Sequence, residues 1–145
     1  MKIQEKHTFH GAALAQIVEH PSFKALNTAS SHYGHYRVNT DKQVFVKYRT
    51  GDGSPWQFVF SPDGMRKLRR AHQSEDDTYL CLVCGSTTVC ALNQEETDTV
   101  LDMAKNNTQS ITVEVPQGCS CRVRGSGGQL RGTVPHNSFP NKVFA

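Results

Sequence analysis

Four of the five cysteines have spacings that occur in zinc sites. Two residues separate Cys81 from Cys84 and one separates Cys119 from Cys121, so the two pairs could supply four thiolates to one tetrahedral ion. Two observations argue against that site. Cys81 and Cys84 lie in an apolar segment typical of a strand, where residues three apart point to opposite faces, and a Cys-x-Cys pair is unusual in a zinc ribbon. We therefore expect a β-hairpin with buried thiols and no cofactor, with zinc as the alternative.

The histidines include two pairs of identical spacing. His7 and His10 lie near the start of the chain, and His32 and His35 flank a Tyr-Gly dipeptide typical of a loop. Imidazole can ligate a metal or act as a general base. No Asp or Glu lies near His32 or His35 in the sequence to orient its ring. We interpret His32 and His35 as surface residues of a loop.

The order of predicted elements resembles, as a fold-level analogy, the core of restriction-endonuclease-like folds. Such nucleases need two acids to hold Mg²⁺ and a lysine to stabilise the anion. Glu19 on the first predicted helix, Asp41 in a turn and Lys47 in the next strand form an incomplete set. A helix carrying Glu19 would more naturally cover the apolar face of that strand, with Val46 and Tyr48, than the face of Lys47. The pattern therefore favours a protein without catalysis, with a divergent metal-dependent nuclease as one alternative.

Charge falls into three blocks along the chain. Residues 1–73 carry eleven Lys or Arg against five Asp or Glu, residues 74–114 one against eight, and residues 115–145 four against none. The net charge of +3 hides this pattern. If the two basic segments fold side by side, they form one positive face, and the acidic segment forms a belt elsewhere.

The basic segments predict a small binding protein that engages nucleic acid or another polyanion. Cations that alternate along strands or line one helix face can contact several phosphates, and a glycine turn bracketed by arginines suits close approach to a phosphate backbone. Tyr36 and Tyr48 could stack on bases if they are exposed. The predicted contact residues are Lys47, Arg49, Arg66, Lys67, Arg69, Arg70, Arg122, Arg124 and Arg131.

The acidic segment supports a different alternative, an interaction or inhibitor protein. The stretch SEDD at residues 74–77, together with Glu95, Glu96 and Asp98, could mimic a phosphate surface or dock on a basic protein partner. Nothing in the sequence indicates an oligomeric state.

Length and composition indicate one soluble domain. A chain of 145 residues with 37% hydrophobic and 20% charged residues can bury a core and is unlike a disordered segment. No apolar run reaches the roughly 18 residues of a membrane helix, and no apolar segment follows the charged start. An odd number of cysteines without a sign of secretion favours reduced thiols. We expect a cytoplasmic protein that does not contact membranes.

The hydrophobic periodicities predict a single α+β domain over residues 1–145, with a mainly antiparallel sheet and about three helices. The first helix is expected to be capped by Thr8 and stopped by Pro21, with a short helical turn after it that buries Phe23 and Leu26. Trp56 is expected in the core. Further helices are predicted over 61–73 and 93–107, and hairpins over 35–50, 78–93 and 119–135.

Overall fold

A computed structural model describes residues 2–145, which fold into helices and two β-sheets. In chain order the elements are α1 (Glu5–Val18), β1 (Leu26–Thr28), β2 (His35–Val38), β3 (Lys42–Arg49), β4 (Trp56–Phe60), α2 (Pro62–His72), β5 (Asp77–Cys84), β6 (Thr88–Leu92), α3 (Gln94–Val100), β7 (Gln109–Glu114), β8 (Arg122–Gly125) and β9 (Gly128–Gln129). Short 3-10 turns follow at His136–Ser138 and Asn141–Phe144.

The strands divide between two sheets. The first has the order β1-β2-β3-β5-β6, and the second has the order β4-β7-β8-β9. All neighbours are antiparallel except β3 and β5, which run parallel from the pair Lys42 and Asp77 to the pair Arg49 and Cys84. A parallel pair needs a crossover connection, and here β4 and α2 form it. The predicted α+β class is confirmed, with two sheets instead of one and the first sheet mixed.

Both faces of the first sheet are buried, as the apolar run in β5 predicts. Every residue of β5 after Asp77 is buried. One face packs against Ala13 and Ile17 of α1 and against the segment after β9, in which Phe139 and Val143 are buried. The other face packs against α2, α3 and the inner face of the second sheet, in a core that includes Trp56. The strand pair β5–β6 confirms the hairpin predicted over 78–93.

The segment between α1 and β2 differs from its prediction. The predicted helical turn is wrong, because Leu26 begins β1 and pairs with Val38. Asn39 explains the extended conformation: its side-chain oxygen accepts hydrogen bonds from the backbone N–H groups of Lys24 and Ala25, at 2.7 and 3.2 Å. This long-range contact overrides the local helical pattern.

The start of α1 and the end of α3 also differ from the prediction. α1 begins one turn earlier than predicted, because the backbone N–H of Gln4 donates to Nδ1 of His7 at 3.1 Å and fixes the helix start there. α3 ends at Val100 instead of extending to residue 107. The side chain of Gln109 accepts from the N–H of Asp102 at 2.8 Å and donates to its carbonyl at 2.7 Å, so β7 holds this backbone in an extended form.

Asn93 caps α3 and should stabilise the fold measurably. Its Oδ1 accepts from the N–H of Glu96 at 2.9 Å, and Oε1 of Glu96 accepts from the N–H of Asn93 at 3.0 Å. Removing the cap with Asn93→Ala is expected to lower the free energy of unfolding by about 1 kcal/mol in urea titrations. Asn107→Ala, in the exposed loop between α3 and β7, serves as the control, and an equal loss in both variants would contradict a capping role.

None of the helices in residues 2–145 combines the length and the apolar character that crossing a membrane requires.

Candidate functional site

β3 extends beyond its neighbour β2 and leaves an open strand edge. The pairing of β2 with β3 ends at His35 and Phe45, and the carbonyl of Gly34 then accepts one more hydrogen bond from the N–H of Val46 at 2.8 Å. Beside this edge lies a cleft of about 260 Å³, which we call the Lys47 cleft. It is lined by His10, His32, Tyr33, Val46, Lys47 and Tyr48.

Gly34 allows the loop before β2 to lie directly on β3 and on α1. Its φ is +91°, which favours glycine, and an added Cβ would lie 2.6 Å from the Val46 carbonyl oxygen and 3.0 Å from Cε1 of His10. Any larger residue would push Tyr33 away from His10. The close approach therefore sets the shape of the Lys47 cleft.

α1 contributes a buried histidine to the cleft. His10 is only 5% exposed, and its Nδ1 has no hydrogen-bond partner among residues 2–145. Burial, together with the positive charges of Lys6 and Lys47, lowers the pKa of His10 to about 4. The ring is therefore neutral at pH 7, with one nitrogen that donates and one that accepts.

Lys47 brings an uncompensated positive charge to the cleft. Its Nζ lies 4.7 Å from the ring centroid of Phe60. Over the part of the chain that the structure describes, no carboxylate oxygen lies within 4.0 Å of this ammonium group. Burial lowers the pKa of Lys47, which means that the charged form is less well solvated than in water.

Further cations act on the side chains of the cleft. Nζ of Lys6 on α1 lies 4.4 Å from the ring centroid of Tyr33. Burial lowers the pKa of His32, and the charges of Lys47 and Lys67 lower it further. Asp63 acts in the opposite direction, but Arg66 engages its carboxylate at 2.8 Å. The cleft is therefore electrostatically positive, and cations from α1, β3 and α2 contribute to its potential.

The other predicted contact residues lie on several surfaces. Arg69 donates to the carbonyls of Met103 and Lys105 at 2.9 and 3.4 Å and so anchors the loop after α3. Arg122 and Arg124 are exposed on β8 of the second sheet, where Arg124 pairs with Glu114 at 3.1 Å. Arg49, Arg70 and Arg131 are exposed. Of the nine, Lys47 lines the cleft, and the charge of Lys67 acts on His32 there.

The three nuclease candidates are not brought together. α1 packs on the face of β3 that carries Val44 and Val46, which is opposite to the face of Lys47. Glu19 is exposed just after α1. Asp41 precedes β3 and lies 3.3 Å from Lys42, and six residues of extended chain place it ~20 Å from Lys47. This arrangement gives the nuclease alternative no geometric support.

The zinc candidates lie in different environments. Cys81 faces the core beside α1, whereas Cys84 and Cys121 face the core between the sheets, and Cys119 is exposed. Burial raises the pKa of Cys81 and of Cys84 to about 12, which favours neutral thiols over thiolate ligands. Within residues 2–145, no group of three or more His, Cys, Asp or Glu side chains is arranged to hold a metal ion.

Several acids of the predicted belt have partners within the fold. Asp76 binds Arg37 at 2.7 Å, Asp98 lies 3.0 Å from Nδ1 of His72, and Oε1 of Glu96 lies 2.6 Å from Nζ of Lys142. The carboxylates of Glu75, Asp77 and Glu95 belong to exposed residues. The acidic segment thus has structural contacts of its own, and the inhibitor alternative stays a hypothesis.

Sequence reasoning missed His10 and Tyr33 as site residues. The signal for His10 was its position in α1: His10, Ala13 and Ile17 follow the three-to-four residue spacing of one helix face, and all three are buried. The interpretation as a surface residue is wrong for His35, which is buried and stacks on Phe45 with ring centroids 4.0 Å apart. No comparable local signal marks Tyr33.

No family model matches this chain, and neither a curated protein nor a solved structure matches it. The geometry and charge of the Lys47 cleft are therefore the features of the molecule that indicate a function.

Proposed function

We propose that the protein binds nucleic acid, or a chemically similar polyanion, through the Lys47 cleft. The observation that supports this is the half-buried residue Lys47, whose ammonium group has no carboxylate within 4.0 Å in residues 2–145. A partly desolvated charge without a partner costs free energy. A phosphate oxygen would supply the missing partner and form a charge-assisted hydrogen bond.

The surroundings of Lys47 suit an anion of more than one charge. Lys6 lies beside Tyr33, and the charge of Lys67 acts on His32 at the same cleft. His10 and His32 are both shifted toward the neutral form, and a neutral imidazole still donates one N–H. A chain of phosphates can contact several of these groups together, whereas a single carboxylate cannot. We expect binding without catalysis, in the cytoplasm, where buried thiols stay reduced.

The experiment is fluorescence anisotropy with labelled DNA and RNA oligonucleotides at several salt concentrations. If about three phosphates are contacted, affinity should fall on the order of 10- to 100-fold between about 50 and 200 mM salt, because bound phosphates release counterions. Lys47→Gln is expected to weaken binding by about 10-fold or more and to reduce the salt slope by about one.

Lys105→Gln is the matched control. Lys105 lies in the exposed loop after α3, 4.0 Å from Asp102, and is not among the residues that line the cleft. The substitution removes the same formal charge as Lys47→Gln. An equal loss of affinity in both variants would show that net charge, and not the Lys47 cleft, carries the binding. Absence of binding at low salt would refute the proposal.

A further inference from the structure

The Lys47 cleft has an exposed aromatic side chain at its rim. Tyr33, in the loop between β1 and β2, is 48% exposed. Nζ of Lys6 lies 4.4 Å from its ring centroid, which is the geometry of a cation–π contact. The flexible lysine therefore occupies a ring face that a ligand can reach once the lysine moves aside.

Tyr33 is held in position by its neighbours. The His10 ring lies against it with centroids 4.7 Å apart, and the next residue, Gly34, is fixed to β3 through the Val46 N–H. The same loop is closed by a hydrogen bond of 3.0 Å from the N–H of Ala29 to the carbonyl of His35. An aromatic ring that is exposed but fixed loses little conformational entropy when a ligand stacks on it.

A second aromatic pair lies on the other side of the cleft. Phe9 and Tyr48 stack with ring centroids 5.0 Å apart and an interplanar angle of 6°. Tyr48 also lies 5.6 Å from His10, so the aromatic rings continue from Tyr33 through His10 to Tyr48. Aromatic surfaces beside a cationic groove are the arrangement that binds successive bases of a single strand.

We infer that the Lys47 cleft takes an unpaired base of a single-stranded nucleic acid, stacked on Tyr33, with an adjoining phosphate on Lys47. This inference rests on the proposed function and narrows its substrate class. Bases inside a duplex are already stacked and paired, so their faces are closed to Tyr33. The cleft volume of about 260 Å³ suits one ring system, being just below the roughly 300 Å³ at which pockets for drug-sized ligands begin.

Lys6 is expected to change its partner when the nucleic acid binds. In the free protein its ammonium group lies over the Tyr33 ring. A base that stacks on this ring displaces the ammonium group, which then lies close to the phosphates of the same strand. The cation–π contact is thus exchanged for an ion pair with a phosphate, and the exchange favours binding at low salt.

The test compares Tyr33→Leu with Tyr33→Phe against one oligonucleotide as a single strand and as a duplex. Tyr33→Leu removes the ring and is expected to weaken single-strand binding by about 5- to 150-fold. Tyr33→Phe keeps the ring and should retain the wild-type affinity. Binding of the duplex should change little in either variant. Placing 2-aminopurine in the single strand adds a second measurement, because its fluorescence reports stacking and should change on binding to wild-type protein and to Tyr33→Phe only.

Other outcomes of these measurements would overturn either the stacking inference or the proposed function. Equal effects of Tyr33→Leu on the single strand and the duplex, or no effect on either, overturn the stacking inference while binding through Lys47 stands. Loss of affinity in Tyr33→Phe as well would assign the contact to the hydroxyl group and also overturn stacking. If wild-type protein binds neither form nor heparin at low salt, the proposed function itself fails. Thermal unfolding of the two variants checks that both are folded.

Discussion

Replacing Gly125 with alanine is expected to lower the free energy of unfolding by about 3 kcal/mol. Gly125 ends β8, and an added Cβ would lie 2.3 Å from the carbonyl oxygen of Val100 and 2.9 Å from that of Ser110. Both obstacles are backbone atoms, so no side-chain rotation can relieve the clash. The substitution would separate the end of α3 from the second sheet, and urea titration would measure the loss.

Gly11→Ala is the control, and here we expect the free energy of unfolding to rise instead of fall. Gly11 lies inside α1, is exposed, and an added Cβ meets no atom within 4 Å. Alanine at this position should raise the free energy of unfolding by roughly 0.5–1 kcal/mol, because it restricts the unfolded chain and favours the helix. A loss at Gly11 similar to that at Gly125 would contradict the steric explanation.

Acidification from pH 6.5 to about 4 is expected to destabilise the protein, with His10 as a main contributor. Burial, with the charges of Lys6, Lys47 and His7, lowers the pKa of His10 from 6.5 to about 4. The unfolded state therefore takes up a proton first as the pH falls, so this contribution is fully present above pH 6.5 and is lost toward pH 4. Its size is at most about 3 kcal/mol.

His10→Phe tests the assignment. The substitution keeps a ring between Tyr33 and Tyr48 and removes the titrating group together with the unpaired Nδ1. The difference in unfolding free energy between pH 7 and pH 4.5 should shrink by most of the His10 contribution. A residual dependence is expected from His72, whose pKa burial also lowers although Asp98 opposes the shift. An unchanged difference in His10→Phe would assign the acid sensitivity to other groups.

Several local elements were predictable because their signals lie within a few residues. The apolar run of β5 predicts a strand buried on both faces, and Ser61 predicts the start of α2, where its Oγ accepts from the N–H of Gly64 at 3.1 Å. The division into two sheets was not predictable in this way. β4 pairs with β7 and β3 pairs with β5, and such partners are chosen by packing over long sequence distances.

The candidate site was predictable only in part. The sequence predicts that Lys47 lies on a strand, which the structure confirms, and that it contacts a polyanion, which stays a prediction; the structure places Lys47 in the lining of the cleft. The absence of a nearby carboxylate in residues 2–145 depends on tertiary packing. His10 comes from a helix and Tyr33 from a loop, and the close approach at Gly34 brings both to β3. The spacing of residues in the sequence does not predict that these three elements come into contact.

The burial of Phe139 and Val143 beside Ala13 and Ile17 has a consequence for synthesis on the ribosome. This core combines the first helix with residues that are translated long after it. Until Phe139 and Val143 have left the ribosome, the face of the first sheet that carries Val44 lacks some of the side chains that bury it. A nascent chain therefore exposes apolar strand surface until the segment with Phe139 and Val143 has left the ribosome, and exposed surface of this kind is what chaperones bind and what promotes aggregation.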